Sequence, residues 1–348
     1  MISSRTYLAV PPGMTIKDML DDRGLSQRKF ASMMEMSEKH MSKLINGEVI
    51  LTPDVAFRLE MTLGMDAGFW TRLEALYREE IIKVEAENAM DADIEILKLI
   101  PYREMVSKGW VPEARKAADK VINLRKFFNV VKLSLLEKDI ITQIACKPLS
   151  VSEKSDLLLL AWTQAARIKA RDIDAKPINV AGLIKAVPKL REMTSLPAAE
   201  AFEKTAELLA SKGVVLLRMP SLKGLYVKGA TFLDGRKIVI LLSDKIKDAD
   251  DFWFTLFREI AHVTEGHVKH SSAFTENDER DAEAWAGNIL VPADKLADFK
   301  AKGDVSEKAV RDFAESVNLA PGVVVGRMQK DGLIRYDQLN NLKERVPA

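Results

Sequence analysis

Two stretches of this 348-residue chain carry residue types at spacings that do chemistry. The first is Arg258-Glu259-Ile260-Ala261-His262. On a helix, residues i and i+4 share a face, so two histidines at that spacing can both ligate zinc. A Glu placed after the first histidine then serves as general base on the metal-bound water. In this chain Arg258 stands at the first ligand position, Glu259 at the base position and His262 at the second ligand position. A guanidinium stays protonated in proteins, has no lone pair for a metal and repels a cation. The expectation is a centre without zinc or any other cofactor and without a catalytic residue, in which Glu259 and His262 are vestigial. His267 and His270, beyond Gly266, are the donors from which a replacement metal site could be built, although histidines beside Lys269 in a turn are more often solvated.

The second stretch is a short helix opening after Ser26, a three-residue turn, and another short helix spanning 37–45. Those are helix-turn-helix dimensions, in which the second helix enters the major groove with its first residues facing base edges. The exposed candidates are Ser37, Glu38, Lys39, His40, Ser42 and Lys43, with Met41, Leu44 and Ile45 on the buried side. Gln27 and Arg28, one helix earlier, are placed to bond phosphate oxygens and fix register. Spacing alone leaves two ordinary helices with a solvated face as the alternative reading.

The elements that must position these groups follow from periodicity and punctuation. Apolar residues recur at helical spacing from Met14, and Gly24 ends that pattern. Ser26 is a suitable N-cap, Asn46-Gly47 is a left-handed stop, Pro53 opens a further helix, and Gly64 interrupts before a segment through Trp70, Leu73 and Tyr77. From 79 to 196 the pattern stays helical, with breaks at Pro101, 109–112, Pro148 and Pro177. From Gly213 the period changes. Val214-Val215-Leu216-Leu217 and Lys237-Ile238-Val239-Ile240-Leu241-Leu242 read as buried strands, and Asp234-Gly235 reads as a hairpin turn. A helix resumes at Asp250 with an acidic cap. Expected domains are residues 5–80, 81–196 and 197–348: an all-α helix-turn-helix domain, a helical middle region, and an α+β domain with a small antiparallel sheet, zincin-like by the resemblance of its 252–262 helix to a metallopeptidase helix.

Composition narrows the class. The chain is 47% hydrophobic and 30% charged, enough for packed cores and too apolar for disorder. The single cysteine, Cys146, excludes a disulfide framework and fits a reducing cytoplasm, and a packing role is its expected one. No apolar run reaches membrane length and no secretory signal is apparent, so a cytoplasmic protein is expected. Trp70, Trp110, Trp162, Trp253 and Trp285 fall at apolar helix positions and are expected in cores. Net charge is +1, from 52 Lys+Arg against 51 Asp+Glu. From 5 to 46 there are seven basic and five acidic residues, and from 5 to 80 ten and twelve. Phosphate attraction is therefore modest, and DNA binding by this chain would show a shallow salt dependence. The acidic stretch 276–283 reads as a solvated helix start, with contact to a basic partner as the alternative.

Two resemblances sharpen these readings. Gly24-Leu25-Ser26-Gln27 through Leu44-Ile45-Asn46-Gly47, and Thr52-Pro53 to Phe69-Trp70, resemble the DNA-binding domain of HigA-type antitoxins, members of the XRE helix-turn-helix class. The resemblance implies a homodimer that represses its own operon at palindromic operator DNA and neutralises an RNase toxin of HigB type. Gly229-Ala230-Thr231, the 252–262 helix, Asp281-Ala282-Glu283-Ala284-Trp285-Ala286, Leu290-Val291-Pro292 and Pro321-Gly322-Val323 resemble the ImmA/IrrE metallopeptidase-like domain. By that resemblance Asp281 occupies the place of the third zinc ligand, as a shorter acid than the usual Glu. Arg258 would then pair with Asp281 or Glu259. The rival readings are a working zinc peptidase that cleaves a repressor and a stand-alone phage or stress repressor.

Overall fold

In a computed structural model of the protein, residues 2–136, 144–145, 153–269 and 275–346 are described. Cys146, Pro148 and His270, singled out above, lie outside them. Two compact units emerge, Met1–Ile96 and Leu97–Ala348. The boundary between them falls at 96/97. One long helix runs unbroken past residue 80, and helices on both sides of residue 196 pack on a common sheet.

The first unit begins with a two-stranded ribbon, β1 (Ile2–Ser3) antiparallel to β2 (Leu8–Ala9), which sequence patterning did not anticipate. Helices α1 (Pro12–Asp22), α2 (Gln27–Met33), α3 (Glu38–Ile45), α4 (Pro53–Leu63) and α5 (Ala67–Leu97) follow. The ribbon is tied to α5 by Glu87, whose carboxylate accepts from the Ser4 hydroxyl, the Thr6 amide at 2.8 Å and the Thr6 hydroxyl at 2.7 Å. Ser26, Ser37 and Thr52 cap α2, α3 and α4 by accepting from the amides of Lys29, His40 and Val55. Gly64, at φ 80°, supplies the left-handed end of α4. The core between these helices is Ile16, Phe30, Met34, Met41, Leu59 and Trp70, all essentially inaccessible to water.

The second unit places α6 (Tyr102–Ser107), α7 (Ala117–Phe128), α8 (Glu153–Arg171), α9 (Val180–Glu192) and α10 (Ala198–Ala210) before and around a four-stranded sheet. The strands are β3 (Ile144–Ala145), β4 (Val214–Met219), β5 (Gly229–Asp234) and β6 (Lys237–Ser243), in the order β3-β5-β6-β4. β5 and β6 form the expected hairpin around Asp234-Gly235, with Phe232 opposite Val239. β4 is parallel to β6, Leu216 opposite Ile240, so the sheet adds one parallel pair to the expected antiparallel hairpin. The continuous apolar runs of β4 and β6 carry the reason. A strand buried on both faces lacks alternation, and that is the condition under which parallel pairing is found.

Helix α11 (Ala249–Thr264) crosses the sheet with Phe252, Trp253, Leu256, Phe257, Ile260 and Val263 buried. Helices α12 (Glu276–Leu290), α13 (Ala293–Lys302), α14 (Glu307–Ser316) and α15 (Pro321–Lys330) complete the unit, and Val323, Val324 and Val325 of α15 join the same core. Trp70, Trp162 and Trp253 are buried as expected, whereas Trp110 and Trp285 are only partly so. Among the described residues no helix is long and apolar enough to cross a membrane.

Candidate functional sites: a nucleic-acid interface and the Arg258 centre

The turn between α2 and α3 is Met34-Glu35-Met36, with Glu35 at φ 51°. Phe30, Met34, Met41 and Leu44 lock the two helices against the core and leave the opposite face outward. On that face Gln27, Arg28, Ser37, Glu38, Lys39, His40 and Lys43 are exposed, and Ser42 is half-buried. Three of these residues have work within the chain that their spacing did not reveal. The Ser37 oxygen caps α3 at 3.2 Å from the His40 amide, and Arg28 Nε sits 3.1 Å from Glu38 Oε1. Arg28 and Glu38 therefore couple the start of α2 to the start of α3. Both are well over half exposed, so the pair is worth less than about 1 kcal/mol and yields readily to a phosphate. Lys39 and Lys43, four residues apart, stand on one face of α3.

The Arg258 centre lies on α11 against β5. Glu259 is buried, only 2% exposed, and both its oxygens are engaged. Oε1 accepts from Arg258 Nη2 at 2.8 Å, and Oε2 accepts from the Thr231 hydroxyl of β5 at 2.7 Å. Such close approach needs Gly229. A Cβ there would stand 2.5 Å from Glu259 Oε1 and 2.9 Å from the Thr255 methyl. The guanidinium thus pairs with Glu259, the nearer of the two expected carboxylates.

His262 is 1% exposed. Burial, reinforced by the positive charge of Arg258 and by His267, pushes its pKa down to about 3, so the ring is neutral in the folded protein. Its Nδ1 lies 3.0 Å from His267 Nδ1, one ring donating and the other accepting. Its Nε2 lies 3.6 Å from Glu279 Oε1. The carboxylate beside His262 is therefore that of Glu279, while Asp281 is exposed. Two residues along a helix is a rotation of about 200°, so both cannot face the centre. A signal for this was present in the sequence. Ala282, Ala286 and Leu290 form the buried stripe of α12, and stepping back by three reaches Glu279.

These donors do not suit zinc. A catalytic site needs three protein ligands around a tetrahedral ion. His262 and Glu279 supply two, while the third position holds a cation already bonded to Glu259. His267 faces the other nitrogen of His262, and its own Nε2 points to Asp278 at 3.6 Å. Among the described residues no group of three or more His, Cys, Asp or Glu could hold a metal ion.

The acid at the start of α11 also differs from expectation. Asp250 is no cap, since the helix begins at Ala249 after Asp248. Asp250 is instead buried, with Oδ2 on Lys343 Nζ at 2.7 Å. The acidic start of α12 is largely exposed, and Thr275 and Asp278 close it with a reciprocal capping box.

Comparison with known proteins matches each region separately. Residues 16–70 match the helix-turn-helix family, and residues 194–327 match the IrrE N-terminal-like domain. The chain is 32% identical over 80 residues to the uncharacterized HTH-type transcriptional regulator YddM of Escherichia coli (strain K12). That alignment covers 23% of this chain and 81% of the relative.

Proposed function

Because the chain belongs, through its N-terminal unit, to the helix-turn-helix family of transcriptional regulators, we propose that it is the antitoxin of a type II toxin–antitoxin pair that represses its own operon. In this reading a homodimer sets two copies of α3 into successive major grooves of a palindromic operator. Ser37, Glu38, Lys39, His40, Ser42 and Lys43 meet base edges or phosphates, and Gln27 and Arg28 hold the backbone. The observation that carries the proposal is the capped pair α2 and α3, whose apolar side is locked in the core and whose polar side is outward. The partner is a basic RNase toxin of HigB type.

The IrrE-like domain acts in this proposal without peptidase chemistry. Support comes from Arg258, which neutralises Glu259 where a peptidase needs an unencumbered base beside a metal.

Footprinting on the DNA upstream of the chain's own reading frame tests the regulator role. A protected palindrome is expected, and no protection at moderate salt overturns it. Co-expression with the adjacent small reading frame tests the antitoxin role. Growth arrest by that frame alone, relieved by this chain, is expected. Operator binding without any such toxin would leave the stand-alone repressor as the correct reading.

A further inference from the structure

A cavity of about 430 Å3 opens beside the first turns of α11 in the second unit. Asp250, Phe254 and Arg258, spaced by four, line it from one face of that helix. The wall opposite comes from α15 and from the segment that follows it, including Tyr336 and Lys343.

Asp250 is the informative residue. It is 6% exposed; its Oδ2 accepts from Lys343 Nζ at 2.7 Å, and its Oδ1 is buried without any hydrogen-bond donor. Leaving a buried carboxylate oxygen unmet is costly, and a structure normally supplies a donor. The fold goes out of its way to keep Asp250 here. At Gly326 of α15 any Cβ would stand 2.3 Å from Oδ2, so only glycine lets α15 pass.

The charges lining the cavity balance, with Lys228, Arg258, Lys330 and Lys343 against Asp248, Asp250, Asp251 and Glu283. Lys228 Nζ lies 2.8 Å from each oxygen of Asp251, Lys330 pairs with Glu283, and Arg258 pairs with Glu259. A ligand of one sign would upset that balance, whereas one carrying both signs would not. An ammonium has three N–H groups, so a lysine bound to one carboxylate retains donors for a second. Lys330 and Lys228 stand at the exposed rim, with Asp250 at depth. The half-buried ring of Phe254 and the largely exposed ring of Tyr336 provide apolar flanks.

We propose that this cavity binds an amino-acid-like zwitterion, its ammonium on Asp250 Oδ1 and its carboxylate on the Lys330 rim. A free amino acid and a short peptide share that chemistry. An internal peptide segment, lacking both termini, does not. The proposal stands apart from DNA recognition and is measured without DNA.

The test is thermal unfolding of the full chain in millimolar amounts of each of the twenty amino acids and of glycylglycine. At least one compound is expected to raise the melting temperature in a dose-dependent way, and the tighter class identifies the source. Its N-acetyl and methyl-ester forms are expected to lose the effect, as is Asp250→Asn. If no compound stabilises the chain, or if the shift survives in Asp250→Asn or with the N-acetyl form, the proposal is overturned. Should Asp250→Asn fail to fold, the exposed substitution Lys330→Gln decides. An apparent Kd weakened about tenfold or more is expected there. An unchanged Kd overturns the proposal.

Discussion

Arg258 Nη2 donates to Glu259 Oε1 at 2.8 Å, an ion pair between sequence neighbours in which the carboxylate is 2% exposed and the guanidinium side chain 23%. Adjacent helical residues point about 100° apart, so the pair forms only because Glu259 lies against β5 and Arg258 folds back along the helix to meet it. Thr231 takes the other oxygen. Each oxygen of the carboxylate thereby has a partner within the protein.

Metal content follows from this pair. Purified wild-type chain, stripped with chelator and offered zinc, is expected to retain far less than one ion per chain. Arg258→His restores a third donor beside His262 and Glu279 and is expected to retain about one, as three protein ligands hold a catalytic zinc. Elemental analysis by mass spectrometry reads both, and stoichiometric zinc in the wild type would falsify the metal-free reading.

Stability depends on the same pair. Removing the cation by Arg258→Met strands a buried carboxylate and is expected to cost about 3–5 kcal/mol. Adding Glu259→Gln should recover most of that loss, because the amide needs no counter-charge. Urea unfolding followed by tryptophan fluorescence measures it. Equal stabilities for wild type and Arg258→Met would show that Glu259 does not rely on Arg258.

His262 gives a pH dependence of defined sign. Its folded pKa is about 3 against an ordinary 6.5, with burial the first cause. Below pH 6.5 the unfolded chain takes up a proton that the folded chain refuses. The stability that neutral His262 permits is thus present above 6.5 and lost as pH falls towards 3. The slope approaches about 1.4 kcal/mol per pH unit for this one group. The NMR signal of the His262 ring should show no titration above pH 4.5, and a midpoint near 6 would refute its burial as neutral imidazole.

On DNA, Lys39→Ala combined with Lys43→Ala should weaken operator binding and reduce the slope of log affinity against log salt by about two. Fluorescence anisotropy with the footprinted site gives both quantities. Unchanged affinity would remove α3 from the interface. Arg28→Ala, which releases Glu38, should change affinity less, because Arg28 already spends part of its charge on that partner.

Much of the first unit is local and so was legible in the chain itself. Ser26, Ser37 and Thr52 cap through amides three residues away, and Gly64 and Gly47 turn left-handed where those helices end. Short-range hydrogen bonds and backbone sterics write such boundaries into adjacent residues. That Arg258 cannot donate to zinc was equally plain, because a guanidinium has no lone pair for a metal. The hairpin at Asp234-Gly235 belongs to the same class of signal.

Tertiary structure decided whatever depends on partners distant in the chain. β4 pairs directly and parallel with β6, although β5 lies between them in the chain; a continuous apolar run permits that pairing, and the tertiary crossover selects it. The carboxylate beside His262 proved to be Glu279 because the rotation of α12 is set by packing Ala282, Ala286 and Leu290 into the core. Asp250 looked like a helix cap and became a buried acid because Lys343, 93 residues away, comes to meet it while Gly326 leaves room. Residue types and short spacings fix what each group can do chemically. Which groups meet is settled by long-range packing, because the burial that brings Lys343 to Asp250 belongs to the folded chain as a whole.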